Sequence, residues 1–469
     1  LKNDLGYAGF RYDMVKGYSA AFTAIYNAAS QPEFSVGECW DGTNTIKKWI
    51  EGTSMDGIIQ SAAFDFQFRY TVRNAMNNRN YARLAQQNDG NWPLVSNDAY
   101  SGDYRQWAVT FVENHDTEYR SADYQQDPIR RDTLAANAYL LAMPGTPCVF
   151  LKHWIAYKQD IKSMIDVRKA AGIHNMSTPT TMATSKDYYA VATDQKLLAV
   201  VGPGTATYTP TNQNYKKVLE GYRYAYYLNK NMETAWADKA SGTYDNNVEV
   251  TLTAVSANDG AQLVYTTNGS NPTAASTKVA SGTKINIPLG TTTLKVGLLI
   301  GSTVSGIVTR TYTVQEAHDI TVYLNVDAVN WTKVNFYNWG VDGVGGSWPG
   351  DEITATTTIN GKKWYYNKYT IHSDSDAYNF VFNNGSVQTV DIYNVTKTSF
   401  FEVSTEKDGL KYKVNDVTST GITAITTQQP TPDNQHWYTI SGQRISKPEQ
   451  QGIYINNGRK VVIKKLYNL

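Results

Sequence analysis

Three short segments in the first quarter of the chain each carry a strand-like apolar run into carboxylates: Gly9-Phe10-Arg11-Tyr12-Asp13, Val36-Gly37-Glu38-Cys39-Trp40-Asp41 and Phe111-Val112-Glu113-Asn114-His115-Asp116. Two carboxyl groups, one ionised to attack or stabilise a carbon and one protonated to give a proton to the leaving oxygen, are what cleavage of a glycosidic bond requires. Asp13 and Glu38 fit those two jobs. Arg11, two residues before Asp13 and so on the same strand face, is placed to hold that carboxylate ionised through a charge-assisted hydrogen bond. Glu38 must keep its proton near neutral pH, which burial or a second carboxylate achieves, and Asp116 is the candidate neighbour. His115 is available to donate to a substrate hydroxyl. Taken singly, an Asp at a strand end is more often a helix N-cap and a Glu there a solvated rim residue. The argument rests on the three together.

Such side chains converge only if their strands run parallel. From Leu1 to about Gly172 strand and helix patterns alternate. Strands are expected near Gly9 to Tyr12, Phe34 to Gly37, Ala62 to Phe66, Ala108 to Val112 and Cys148 to Leu151, and helices include Ser19 to Ala29, Asp132 to Met143 and Gln159 to Ala171. This is α/β layering with the three carboxylates at one rim. Five strand-helix units are legible, whereas a closed barrel has eight, so the expected fold is the last five units of a TIM barrel, N-terminally incomplete, followed by all-β domains. The multidomain division reads as barrel 1–172, antiparallel β domain 173–240, immunoglobulin-like spacer 241–316, β-sandwich 317–415, a Thr-, Gln- and Pro-rich linker 416–434 and a β-like tail 435–469.

Bulk properties narrow the partners. A formal net charge of +1 over 469 residues supplies no basic surface for nucleic acid. No apolar stretch approaches the ~20 residues that span a bilayer. Cys39 and Cys148 lack metal-type spacing and read as packed thiols. The 34 Tyr and 11 Trp against 13 Phe favour rings with a polar edge, suited to sugar faces and equally to strands.

In their order, and with Lys16-Gly17 after the first and Trp40 after the Glu, the three motifs resemble the family 13 glycoside hydrolases, the α-amylase family. Phe64-Asp65-Phe66, the run from Pro144 to Phe150 and Val167 to Asn175 look like its plant-like branch. The resemblance covers about Leu1 to Asn229. It implies retaining endo-hydrolysis of α-1,4-glucosidic bonds in starch-like glucans, with Asp13 as nucleophile, Glu38 as acid/base and Asp116 as transition-state stabiliser. It further implies Lys16 on the leaving-group side and calcium as cofactor, with Gly17 contributing a backbone ligand and most ligands lying in the missing N-terminal part. The family's Asp-to-His strand of the substrate cleft has no counterpart here. Two alternatives stay open: a glucan-binding polypeptide inactive because its barrel is incomplete, and a transglycosylase or branching relative.

Further along, alternation in Val334 to Trp339 sets Tyr337 and Trp339 on one face, and Trp348 follows in Ser-Trp-Pro-Gly. With Gln388 to fix hydroxyls, these rings resemble a starch-binding module of carbohydrate-binding family 26, and Trp331 and Trp364 are weaker candidates. The run from Leu263 to Thr273 resembles the C-terminal domain of chitobiases, a spacer. Trp437 to Arg444 and Gly452 to Lys464 resemble type IX-like sorting tails, which implies a secreted or cell-surface protein.

Overall fold

The computed structural model describes residues 1–96, 102–120, 126–245, 248–341, 344–372 and 376–418, together with four short strands in the tail. The chain forms two compact units: Leu1–Ala317 with His372–Ser375, and His318–Ile371 with Asp376–Leu469.

The first unit opens with five parallel strands side by side in chain order: β1 (Gly9–Tyr12), β2 (Phe34–Gly37), β3 (Ala62–Phe64), β4 (Ala108–Thr110) and β5 (Thr146–Pro147). Parallel neighbours need crossover connections. Helices α1 (Ala20–Ser30), α2 (Thr43–Gly52), α3 (Phe66–Asn77) and α4 (Thr133–Ala142) lie between successive strands, and α5 (Lys158–Ala170) follows β5. The buried Asp65 caps α3, its Oδ1 accepting the Phe68 N–H at 3.0 Å. At the other end of the sheet, the buried Arg168 of α5 donates to the carbonyls of Leu141 (2.9 Å), Met143 (2.5 Å) and Gly145 (3.1 Å). It thereby satisfies carbonyls that the end of α4 leaves unpaired. Gly145 turns the chain there at φ +83°, where a Cβ would meet Val95, Thr110 and the Ala108 carbonyl.

The fifth strand departs from the sequence expectation. Pairing is confined to Thr146 and Pro147, after which Cys148 donates one N–H to the Thr110 carbonyl at 2.7 Å and a short helix starts at Leu151. Proline has no N–H to give a ladder and is tolerated here because the strand lies at the edge of the sheet. Cys148, just beyond this edge strand, is exposed rather than packed, while Cys39 is buried and its thiol is pushed up to about 11 by desolvation. At the opposite edge, beside β1, α1 turns Phe22, Ile25 and Tyr26 to solvent.

The antiparallel sheet that follows comprises β6 (Pro179–Thr184), β7 (Tyr189–Thr193), β8 (Leu197–Val201), β9 (Tyr215–Gly221) and β10 (Tyr224–Asn229), in the order β9-β10-β8-β7-β6. Alternation explains why its centre is buried on both faces: Leu197, Ala199 and Val201 join the core of the helices, while Leu198 and Val200 pack with Ala190, Tyr215 and Ala225. Strands between Thr234 and Gln315 then form two sheets of three and five strands around Val250, Leu252, Leu263, Leu294 and Val296.

The second unit is a sandwich of two five-stranded sheets over a core of Val322, Leu324, Phe336, Phe380, Phe382 and Phe401. Three neighbouring strands of one sheet matter below: β11 (Asn335–Trp339), β12 (Tyr378–Asn383) and β13 (Ile392–Val395). The four tail strands, Trp437–Thr439, Arg444–Ile445, Gly452–Asn456 and Arg459–Ile463, pair as an antiparallel sheet. The expected linker lies outside the described residues apart from its first three positions.

Candidate active site

The carboxylate pair follows from strand register. Parallel pairing of β1 with β2 sets Tyr12 opposite Gly37, so the next residues, Asp13 and Glu38, leave neighbouring strands at the same C-terminal rim, ~4.8 Å apart in the sheet. The Glu38 N–H donates to the Tyr12 carbonyl at 2.9 Å, carrying the pairing one step beyond the strands. Arg11 joins the two carboxylates. Its Nη1 donates to Asp13 Oδ1, and its Nη2 stands 2.8 Å from Glu38 Oε1, in charge contact but without hydrogen-bond alignment. Glu38 is 3% exposed and its Oε2 accepts the Met14 N–H at 3.2 Å, whereas Asp13, on the edge strand, is 70% exposed.

Lys16 follows on a 3-10 turn, Val15–Gly17, and is ion-paired with Asp41 at 2.6 Å while donating to the Trp40 carbonyl at 3.2 Å. The pair fastens the loop after β1 to the loop after β2. Lys16 and the Gly42 N–H hold the Asp41 carboxyl below the usual range, and Asp41 in turn raises the Lys16 ammonium. Trp40 lies two residues beyond Glu38. Its indole stacks on Phe66 with ring centroids 4.9 Å apart, and its N–H donates to the Tyr70 hydroxyl. The sequence reading used Trp40 only as part of a motif and passed over Asp41 and Tyr70; an aromatic at i+2 from a rim carboxylate was the available signal.

Asp116 and His115 occupy the loop after β4, at the same rim but beyond β3. Asn114 builds this loop: its Oδ1 accepts from the N–H groups of Asp116 (3.1 Å) and Thr117 (3.0 Å). His115 Nε2 lies 3.1 Å from Asp116 Oδ2. Behind the loop the buried Glu113 accepts the Ile129 N–H at 2.7 Å and meets His153 Nε2 at 3.1 Å, and His153 Nδ1 meets the Asn137 amide at 3.2 Å. The structure thus gathers Arg11, Asp13 and Glu38 into one cluster, while Lys16 is held beside it by Asp41 and the Trp40 carbonyl. Glu38 has Arg11 for its charged neighbour, and the ionic partner of Asp116 is His115.

Among the described residues no three His, Cys, Asp or Glu side chains cluster as metal ligands, and Asp41, beside the turn that carries Gly17, is already engaged by Lys16. A cavity of about 540 Å³ opens among Glu33, Phe34, Gln60, Ser61 and Trp107. It lies where β2, β3 and β4 begin, the end opposite the carboxylates, and in folds of this kind chemistry resides where the strands finish.

In the second unit Tyr337 and Trp339 project from β11 half-buried, with ring centroids 5.9 Å apart, and the half-exposed Trp348 lies 5.5 Å from Tyr337. The Asn383 amide donates to the Pro349 carbonyl at 2.9 Å and so ties the Trp348 turn to β12; Gln388 forms a bridge pair with that same Asn383. Trp331 and Trp364, 7% and 3% exposed, belong to the core instead of to a ligand surface.

Residues 10–221 match the profile of the α-amylase catalytic domain, and residues 239–309 that of the chitobiase/β-hexosaminidase C-terminal domain. The probable α-amylase 2 of Arabidopsis thaliana is 32% identical over 244 residues, 48% of this chain and 55% of that one, so the chain spans about half the length of this relative. A solved family 26 carbohydrate-binding module from Eubacterium rectale, in complex with maltoheptaose, is 16% identical over 35% of this chain and 93% of that one, with a TM-score of 0.19. The α-amylase type B isozyme of Hordeum vulgare is 33% identical over 119 residues, 24% of this chain and 76% of the isozyme, and on that sequence similarity the chain belongs to the α-amylase family.

Proposed function

We propose that this protein hydrolyses α-1,4-glucosidic bonds of starch-like glucans with retention, the chemistry residing in residues 1–172 with the β domain 173–240 packed on it, and a starch-binding sandwich at 317–415 beyond a spacer at 241–316. The observation that carries the reading is the placement of Asp13 and Glu38 at successive rim positions of adjacent strands, joined by Arg11. Neighbouring strand positions favour the ~5–5.5 Å carboxyl spacing of a nucleophile mechanism over the ~6.5–9.5 Å that admits a water between. In the first step Asp13 attacks the anomeric carbon while Glu38 protonates the departing oxygen; in the second Glu38 takes a proton from water, which displaces Asp13. Asp116 stabilises the positive charge that develops at the anomeric centre in the transition state of each step. Trp40, held by Phe66 and Tyr70, and the clamped Lys16 border the leaving-group side.

The aromatic row supports an α-glucan. Successive planes in Trp348, Tyr337 and Trp339 meet at 62° and 40°. A flat β-glucan ribbon asks for coplanar rings, whereas a helically coiled α-glucan turns its sugar faces from one unit to the next. Holding polymer on such a module raises its effective concentration at the carboxylates without altering the chemistry. The resemblance of Trp437 to Arg444 and Gly452 to Lys464 to sorting tails supports an export or surface-sorting role for the tail, which release of the protein into the medium with and without these residues tests.

A second reading, a glucan-binding protein without turnover, is favoured by one observation: Asp13 is 70% exposed on an edge strand, and a nucleophile in open water loses the benefit of a dry site. Reducing-sugar release from soluble starch by this chain and by its Asp13→Asn variant decides. Activity lost in the variant, with the α-anomer formed first by NMR, supports the hydrolase. Starch binding with no release by either chain supports the second reading, and new branch linkages in the products mark a transglycosylase.

A further inference from the structure

We infer that the glucan site of the second unit continues past the three rings legible in the sequence: Tyr393 is a fourth platform ring, and the cleft beyond it accepts a further glucosyl unit of a longer α-1,4-linked chain. The inference rests on the glucan-binding reading of Tyr337, Trp339 and Trp348.

Tyr393 stands on β13, two strands from Trp339, and its ring centroid lies 6.1 Å from that indole, with the planes at 85°. The ring-to-ring steps from Trp348 through Tyr337 and Trp339 to Tyr393 are therefore 5.5, 5.9 and 6.1 Å, each of the order of one pyranose ring. The backbone carries the row across the sheet. Trp339 pairs with Asn379 of β12, and Asn379 Oδ1 accepts the Asn394 N–H at 3.0 Å.

Tyr393 is 60% exposed, so its ring is open to a ligand. Exposed tyrosines ordinarily keep rotamer freedom, but this one is tethered. Its hydroxyl donates to Asp391 Oδ2 at 3.0 Å, and Asp391 Oδ1 is held by the Lys411 ammonium at 2.9 Å. A ring so fixed loses less entropy when a ligand lies on it. Tyr393 also lines a cleft of about 280 Å³, together with Asp391, Asn394, Lys397 and Asp416 and with the apolar Phe401 and Val414. An aromatic wall followed by carboxylate, amide and ammonium groups is the lining a sugar requires: one apolar face covered and hydroxyls met at the edge.

The test is calorimetric titration of the full chain with maltotriose and maltoheptaose, in a Glu38→Gln background so that ligand is not consumed. Trp348→Ala reports whatever binding the rest of the polypeptide supplies. The expected pattern is that Tyr393→Ala weakens maltoheptaose about ten-fold and maltotriose less than about two-fold, because only the longer ligand reaches the fourth ring. Tyr393→Phe, which keeps the ring and cuts its tether, should weaken maltoheptaose by about two- to three-fold. Trp348→Ala should weaken both ligands strongly. If Trp348→Ala leaves both unchanged, the underlying glucan reading fails. If Trp348→Ala acts while Tyr393→Ala changes neither ligand, or both equally, the extension is overturned and the three-ring site stands.

Discussion

Replacing Asp65 with Asn should make the α/β part of this protein more stable at alkaline pH and leave it unchanged at acid pH. Asp65 is fully buried. Its Oδ1 accepts the Phe68 N–H, but Oδ2 has no partner of hydrogen-bond geometry. Desolvation raises the carboxyl from 3.8 to about 7, against the pull of the backbone N–H groups of Phe68, Leu94, Val95 and Gln67. The folded protein therefore keeps the proton over a range where the unfolded chain has released it. Stability associated with Asp65 is fully present below about pH 4 and falls as pH rises through about 7. A shift from 3.8 to about 7, at 1.36 kcal/mol per unit, sets an upper bound of ~4 kcal/mol lost by pH 8. Asparagine keeps an N-cap oxygen for Phe68 and carries no charge at any of these pH values. Urea unfolding followed by circular dichroism at 222 nm isolates the effect, because every helix of eight or more residues among the described residues lies between Ala20 and Ala170. The stability difference between variant and parent should grow from near zero at pH 4 to a few kcal/mol at pH 8. A difference that stays flat with pH, or a variant weaker than the parent at pH 8, refutes the argument from burial.

Arg168→Met keeps the stem but strips three carbonyls at the end of α4 of their donors, and should cost about 3–5 kcal/mol in the same unfolding assay. A loss under ~1 kcal/mol would mean that water replaces the guanidinium. Glu38→Gln should abolish release of sugar from starch yet retain turnover of glucosyl donors whose leaving group departs without a proton, such as α-glucosyl fluorides; equal loss on both substrates removes Glu38 from the acid role. Native protein should expose one thiol per chain to a neutral alkylating reagent, Cys148, and show both only after unfolding, as counted by intact mass. Rapid native labelling of Cys39 would contradict its burial.

The parts of this fold that the sequence disclosed are those with local causes. Gly9 to Tyr12 and Phe34 to Gly37 are legible because short runs between turn residues admit little else, and both fall where they were expected. Arg11 and Asp13 are legible as a pair because alternation is a property of a single strand. What stayed hidden depends on neighbours that sequence does not identify. A two-residue edge strand, Thr146 and Pro147, sets up no period, so its position was read three residues late. The Arg11 contact with Glu38 depends on the register between β1 and β2, and the partner of Asp116 depends on a loop built by Asn114. Tyr393 escaped for the same reason: it joins Trp339 from another strand, 54 positions along the chain, and nothing near it in sequence marks it as aromatic surface.

The two candidate sites point to one class of ligand by independent physics. At the rim of the parallel sheet the constraint is chemical. Adjacent strand positions favour a short carboxyl separation, which in the proposed hydrolase suits one carboxylate attacking the anomeric carbon while its neighbour protonates the leaving oxygen. That argument fits the proposed glycosidic bond but says nothing of its configuration. On the sandwich the constraint is geometric. Successive ring pairs whose planes differ by 62°, 40° and 85° suit the coiled chain proposed above better than one that lies flat. That argument fits the proposed α-glucan but says nothing of cleavage. Each supplies what the other lacks, and neither depends on the other's residues. A row of rings that bound flat β-glucan as tightly as maltoheptaose would break the second constraint while leaving the first intact, and the reading of the polymer would then have to change while the reading of the bond did not.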